Sequence, residues 1–176
     1  EGLGAFERML EVIDVQPQIR DKPGAAQLAL RGGAISFRGV RFSYGEGAAL
    51  DGFSLEVPAG ATVALVGESG AGKSTAFALL PRLYEPQAGA ILIDETDIAS
   101  VTLASLRGAM GIVSQETILF NDTVAANIAF GRPGASETEI VAAARAAAAD
   151  SFIRSLPQGY ETIVGEGGQN LSGGQR

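Results

Sequence analysis

Apolar and polar positions along this chain change period repeatedly, and each change predicts an element. At the start Leu3, Phe6, Leu10 and Ile13 recur at helical spacing on one face. Gln16-Pro17 and Lys22-Pro23-Gly24 break that period and predict a polar linker. Alternation follows: Ile35 and Phe37, then, after a turn, Val40 and Phe42 predict the first strands. Phe53, Leu55 and Val57 predict a third, giving an antiparallel portion. The run Thr62-Val63-Ala64-Leu65-Val66 is short, apolar and partly β-branched, as a buried strand is. Residues 76–80 continue as a helix, which Pro81 should end or kink because its ring removes a donor and crowds the preceding turn. Residues 90–94 read as a short strand, 102–106 as a helix and Gly111-Ile112-Val113-Ser114 as another strand.

Further on, Ser136 with Glu139 makes a capping box, and the alanine-rich residues 140–149 are predicted as a helix whose small side chains favour close packing. Asp150 can cap another helix through Ser155, ended by Pro157. The alternation of strand and helix assigns an α/β fold. No internal repeat is visible, and the alanine runs are helix-forming sequence.

Composition narrows the partners. At 176 residues, 46% hydrophobic and a net charge of −7, the chain can bury the core of one domain and lacks the basic footprint that nucleic acid requires. Cysteine is absent, which excludes disulfides and thiolate metal sites. No apolar run approaches the eighteen or so residues that span a bilayer. The chain opens on Glu1, and its first amphipathic stretch reads as a helix entering from upstream.

Two glycine-rich segments carry the chemistry. Gly67, Glu68, Ser69, Gly70, Ala71, Gly72, Lys73, Ser74 and Thr75 match G-x-x-x-x-G-K-[ST] between a predicted strand and a predicted helix. Glycines let successive backbone N–H groups turn toward an anion, and the helix adds its positive end. Lys73 would reach the β and γ phosphates of ATP, and the Ser74 hydroxyl can ligate the Mg²⁺ that bridges them. Near the other end come Leu171, Ser172, Gly173, Gly174 and Gln175, where Ser172 can cap a helix whose first-turn N–H groups could accept an anion.

Together, in this order and roughly a hundred residues apart, the segments resemble the nucleotide-binding domain of ATP-binding-cassette proteins. The resemblance implies a P-loop NTPase core, mainly a parallel sheet with flanking helices. It adds an N-terminal antiparallel β portion and a helical portion, about residues 117–176, that carries the signature Leu171 to Gln175. It divides the chain into residues 1–33, the end of a last membrane-domain helix and its linker, and 34–176, a partial nucleotide-binding domain. Tyr44, in V-R-F-S-Y-G, stands where the family stacks an aromatic ring on adenine. Gln115, in I-V-S-Q-E, stands where a glutamine contacts Mg²⁺ beside Ser74. Residues 164–168 look like the short loop by which exporters sense the partner domain.

The resemblance further implies a head-to-tail pair of such domains, as homodimer or heterodimer, each signature closing on the other's ATP. It also implies a fused membrane domain and a place at the cytoplasmic face of a membrane. The segment from Thr117 to Ile128 is similar to the docking face of bacterial lipid and peptide exporters, the lipid A flippases among them, with Leu119 and Phe120 as candidate contacts. The family often has glycine where Glu95 stands, which could tighten or reroute a turn. The acidic Mg²⁺ strand, the water-polarising glutamate and the histidine that follow the signature in the family are not in this chain, so catalytic residues are absent and the chain alone is expected to be inactive and poorly soluble. A non-transport cassette ATPase and a regulatory ATP-binding module are the other readings.

Overall fold

A computed structural model of the chain describes residues 10, 13–45, 47–114 and 118–165. These fall into a unit ending at Gly111 and a second beginning at Ile112.

The first unit is built on β1 (Ile35–Phe42), β2 (Leu50–Val57), β3 (Ala88–Ile93) and the short β4 (Thr96–Asp97), ordered β2-β1-β3-β4 and antiparallel throughout. The expected turn between Phe37 and Val40 is instead a bulge inside one strand: register shifts there against β2 and also, between Arg38 and Arg41, against β3. An extra residue changes the parity of the pleat, so Phe37, on one phase, and Val40 and Phe42, on the other, all reach the core. The bulge also seats bare backbone. A Cβ on Gly89 would lie 2.5 Å from the carbonyl oxygens of Arg38 and Gly39, so only glycine lets β3 approach.

Against this sheet pack α1 (Lys73–Leu79) and α2 (Leu103–Gly108), placing Leu79, Ile98, Val101 and Leu106 in one core with Val40, Phe42 and Ile91. Pro81 does end the preceding helix: α1 stops at Leu79 with Leu80 as its C-cap. Thr102 caps α2, its side chain accepting from the Ser105 N–H. The linker runs as a strap rather than a free tether. Asp21 accepts from the Leu103 N–H (2.7 Å), the Thr102 N–H donates to the Ala26 carbonyl (2.9 Å), and the Leu28 N–H donates to Ser105 Oγ (2.9 Å). Upstream of it, Leu10 and Ile13 are helical and exposed, while Leu3 and Phe6 lie outside the described residues.

The predicted strand at residues 62–66 does not form. Val63 and Val66 are exposed, and among the described residues no segment pairs with them. Gly111–Ser114 likewise forms no strand, with Ile112 and Val113 exposed. A β-ladder belongs to two segments, and an apolar run supplies one of them. An apolar cavity of about 330 Å³ remains between Phe37, Leu55 and Val57 of the sheet, Leu65, and Ala76 and Phe77 of α1. Among the described residues the one parallel pairing is an isolated bridge between Ala26 and Val101.

The second unit joins β5 (Asp122–Thr123) to β6 (Ile163–Val164) around α3 (Val124–Ala129), α4 (Glu137–Ala146) and α5 (Asp150–Ser155). Its core is Val124, Ala144, Ile153 and Val164. The predicted capping box holds: Ser136 accepts from the Glu139 N–H, and the Glu139 carboxylate accepts from the Ser136 N–H. Asp150 is not the cap expected of it. Ala149 occupies the N-cap without a side-chain bond, and Asp150, one residue later, turns its carboxylate to Tyr160, Arg154 and Arg145.

Candidate functional site

The phosphate loop hangs between residue 66 and the start of α1, and its tightest point is Gly72. Gly70 and Gly72 take φ of +84° and +81°, a region that costs other residues roughly 1–2 kcal/mol. At Gly72 space is also closed, because an added Cβ would stand 2.5 Å from the Ala49 carbonyl oxygen and 2.5 Å from Leu50 Cδ2. The loop is therefore pressed onto the start of β2. Gly72 is the N-cap of α1, which has no side-chain cap and no acidic residue in its first turn, so the helix's own first turn does not neutralise its positive end. The Lys73 ammonium donates to the Gly67 (2.8 Å) and Glu68 (2.6 Å) carbonyls, which arches the side chain back over the loop. The Ser74 hydroxyl is on the exposed side of the helix, whereas Thr75 is buried. Glu68, Ser69 and Ala71 line the exposed rim, where the Ala71 N–H donates to the Glu68 carbonyl (3.2 Å). A helix start without a side-chain cap, an ammonium and an exposed hydroxyl suit a polyphosphate and the hard cation it brings. Among the described residues no cluster of three acidic or imidazole groups could hold a metal by itself.

Tyr44 stands at the same end of the sheet. Its loop leaves β1 after Phe42 and returns at Ala49, whose N–H donates to the Phe42 carbonyl (2.8 Å) and whose own carbonyl faces Gly72. Ser43 Oγ donates within the loop, to the carbonyls of Gly45 and Gly47. The Tyr44 ring is 59% exposed and meets Phe42 edge to face at 4.8 Å. Sequence reasoning missed its other neighbour, Tyr84, whose ring lies 5.0 Å away at 90°. The signal available was an aromatic residue just past the helix-ending Pro81.

Gln115 and the signature residues Leu171 to Gln175 lie outside the described residues, as do residues 166–168 of the expected sensing loop. Val164, at that loop's start, is a buried strand residue. Of the expected docking pair, Leu119 packs on the second unit's core while Phe120 is exposed and lies 4.5 Å from Phe130. Asn127 clasps that backbone, accepting from the Phe120 N–H (2.8 Å) and donating to its carbonyl (3.1 Å).

The family model described as ABC transporter matches residues 50–176. The chain belongs to the ABC transporter family. It carries the ABC ATPase domain, with the P-loop fold and an antiparallel N-terminal sheet. It is 49% identical over 176 residues to the ATP-dependent lipid A-core flippase of Desulfotalea psychrophila, covering 100% of this chain and 31% of that one. It is 50% identical over 177 residues to the ATM1-type heavy metal exporter of Novosphingobium aromaticivorans, covering 100% and 29%. A solved bacterial Atm1-family ABC exporter with ATP bound superposes with a TM-score of 0.94 at 51% identity, over 99% of this chain and 31% of that one. The chain thus spans under a third of the length of these relatives. Tyr44 precedes the stretch that the ABC transporter model matches, and the phosphate loop falls within it.

Proposed function

We propose that this chain is the ATP-binding motor domain of an ATP-driven exporter, fused to a membrane domain in one longer polypeptide and working at the cytoplasmic face of the membrane. The observation that carries this is the Gly72 to Ser74 corner, where a backbone cradle, an ammonium and an exposed hydroxyl converge at an uncapped helix start. Lys73 leaves its two carbonyls to hold the β and γ phosphates. Ser74 and Gln115 hold Mg²⁺, which neutralises phosphate charge when bound. Tyr44 stacks on adenine through its exposed ring.

Leu171, Ser172, Gly173, Gly174 and Gln175 are offered to the ATP of a second nucleotide-binding domain in a head-to-tail pair. ATP favours the closed pair because it contacts both domains there, and this difference in affinity biases the membrane domain. Residues 1–33 deliver the chain from that membrane domain. The parallel part of the core forms where further strands cover the apolar side chains exposed at Val63 and Val66. The chain by itself turns ATP over negligibly, since the family's polarising glutamate and histidine are not in it. Exporters and a flippase among the relatives favour transport over a repair or translation role.

In the full-length protein Lys73→Ala should weaken ATP binding more than tenfold and abolish transport-coupled hydrolysis. Retention of both activities would overturn the assignment.

A further inference from the structure

Tyr84 follows α1 on a turn that is fixed from several sides. The Arg82 N–H donates to the Leu79 carbonyl (3.0 Å) and the Leu83 N–H to that of Ala78 (3.1 Å). Arg82 itself is 1% exposed at φ +52°, its guanidinium donating to the carbonyls of Ile98, Val101 and Arg20 and to the Glu85 carboxylate. Arg107 donates to the Pro81 and Arg82 carbonyls, both at 2.9 Å. A left-handed arginine persists only where its surroundings over-determine it. Tyr84 is therefore presented from a rigid base.

That base is also tied to the strand and loop that carry Tyr44. The Gln87 N–H donates to the Arg41 carbonyl (2.9 Å), and Gln87 Nε2 donates to the Ser43 carbonyl (3.3 Å). The Tyr84 ring stands perpendicular to Tyr44 at 5.0 Å and tilted to Phe42 at 5.5 Å. Tyr44 is thus flanked by Phe42, buried in the core, and by Tyr84, which stays 44% exposed.

We propose that Tyr84 is a positioning residue for the nucleotide base: it braces Tyr44 so that the free part of that ring meets a planar purine in one orientation. The inference rests on the reading that Tyr44 stacks on adenine. A perpendicular aromatic contact restricts rotation about the side-chain torsions of Tyr44, so the ring does not have to be ordered when the base arrives. The contribution belongs to the base, since the ring contacts of Tyr84 are to Tyr44 and Phe42.

The test compares ATP with inorganic tripolyphosphate, which lacks a base, by binding to the full-length protein. Tyr84→Leu and Tyr84→Ala should weaken ATP about 3- to 10-fold, the worth of one aromatic contact, and leave tripolyphosphate unchanged. Tyr84→Phe should bind both as the parent does. Tyr44→Ala should weaken ATP at least as much, and Tyr84→Leu added to it should cost nothing more. Unchanged ATP affinity in Tyr84→Leu beside a weakened Tyr44→Ala overturns the bracing role alone. Equal loss of both ligands in Tyr84→Leu and Tyr84→Ala also overturns it, marking a structural residue. No effect of Tyr44→Ala overturns the stacking reading and the brace with it.

Discussion

Gly72 meets two requirements at one position, a left-handed φ and a Cβ-free approach to Ala49 and Leu50, whereas Gly70 meets the first alone and has open space around it. The difference is testable in nucleotide-free protein. Gly70→Ala should cost about 1–2 kcal/mol of backbone strain. Gly72→Ala should cost roughly 2–4 kcal/mol, because overpacking against a carbonyl oxygen adds to that strain, and its thermal midpoint should be the lower of the two. Glu95 shows the opposite tolerance. It stands where the family often has glycine, yet the turn is kept: Asp94 and Glu95 take φ of +47° and +64°. Asp94 accepts from the backbone N–H groups of Arg31, Gly32, Gly33 and Ala34, which hold its carboxyl well below the usual carboxylate range, and Glu95 pairs with Arg38 at 2.7 Å. Bonds to a segment distant in sequence, Arg31 to Arg38, thus hold a turn that glycine would make without strain.

At the scale of elements, a helix end is set by the turn that follows it. The alanine-rich helix was expected to run to residue 149, but α4 ends at Ala146 and Ala148 turns left-handed at φ +55°. Nothing in an alanine run marks that stop. The turn brings α5 back so that Ile153 joins Ala144 in the core, and the Ala149 N–H closes it on the Ala144 carbonyl (2.7 Å). Asp150 then fastens α4 and α5 to Tyr160, accepting from its hydroxyl (2.7 Å), from Arg154 (2.8 Å) and from Arg145 (3.3 Å). The Tyr160 hydroxyl first, and then the two guanidinium groups, pull the Asp150 carboxyl below its ordinary value. The folded state therefore prefers the carboxylate. Its contribution is present above the unfolded aspartate pKa of about 3.9 and is lost as pH falls through the lower folded value. The thermal midpoint of the parent should exceed that of Asp150→Asn at pH 7, and the gap should close below about pH 4. A gap independent of pH would assign the effect to packing.

For the whole molecule, the two relatives set the limits. A lipid A-core flippase and a heavy metal exporter are 49% and 50% identical to this chain, so the stretch they share does not record what is carried. On the reading proposed above, what the domain can record is where force would leave it. Phe120 is exposed beside Phe130 and its backbone is clasped by Asn127, whereas Leu119 is committed to the core. If this face docks a membrane domain, Phe120→Ser in the full-length exporter should uncouple hydrolysis from transport, with ATP affinity unchanged. Leu119→Ser should lower stability instead, by about 2–4 kcal/mol for a polar group in a partly buried apolar site. Full coupling in Phe120→Ser would place docking elsewhere.

The sequence by itself determined what depends on neighbours along the chain. The period-two alternation in β1 and β2, the capping box at Ser136, the stop at Pro81 and the phosphate loop with Lys73 and Ser74 are all set by short-range sterics and hydrogen bonding. Tertiary structure decided whatever needed a distant partner. It joined the first alternation into one bulged strand and strapped the linker to residues 100–105. It also turned Asp150 from a cap into a clasp and set Tyr84 against Tyr44. It left residues 62–66 outside any strand for the same reason. A helix closes its bonds within its own segment, while a ladder, a buried guanidinium or an aromatic brace exists only when a second segment arrives to meet it.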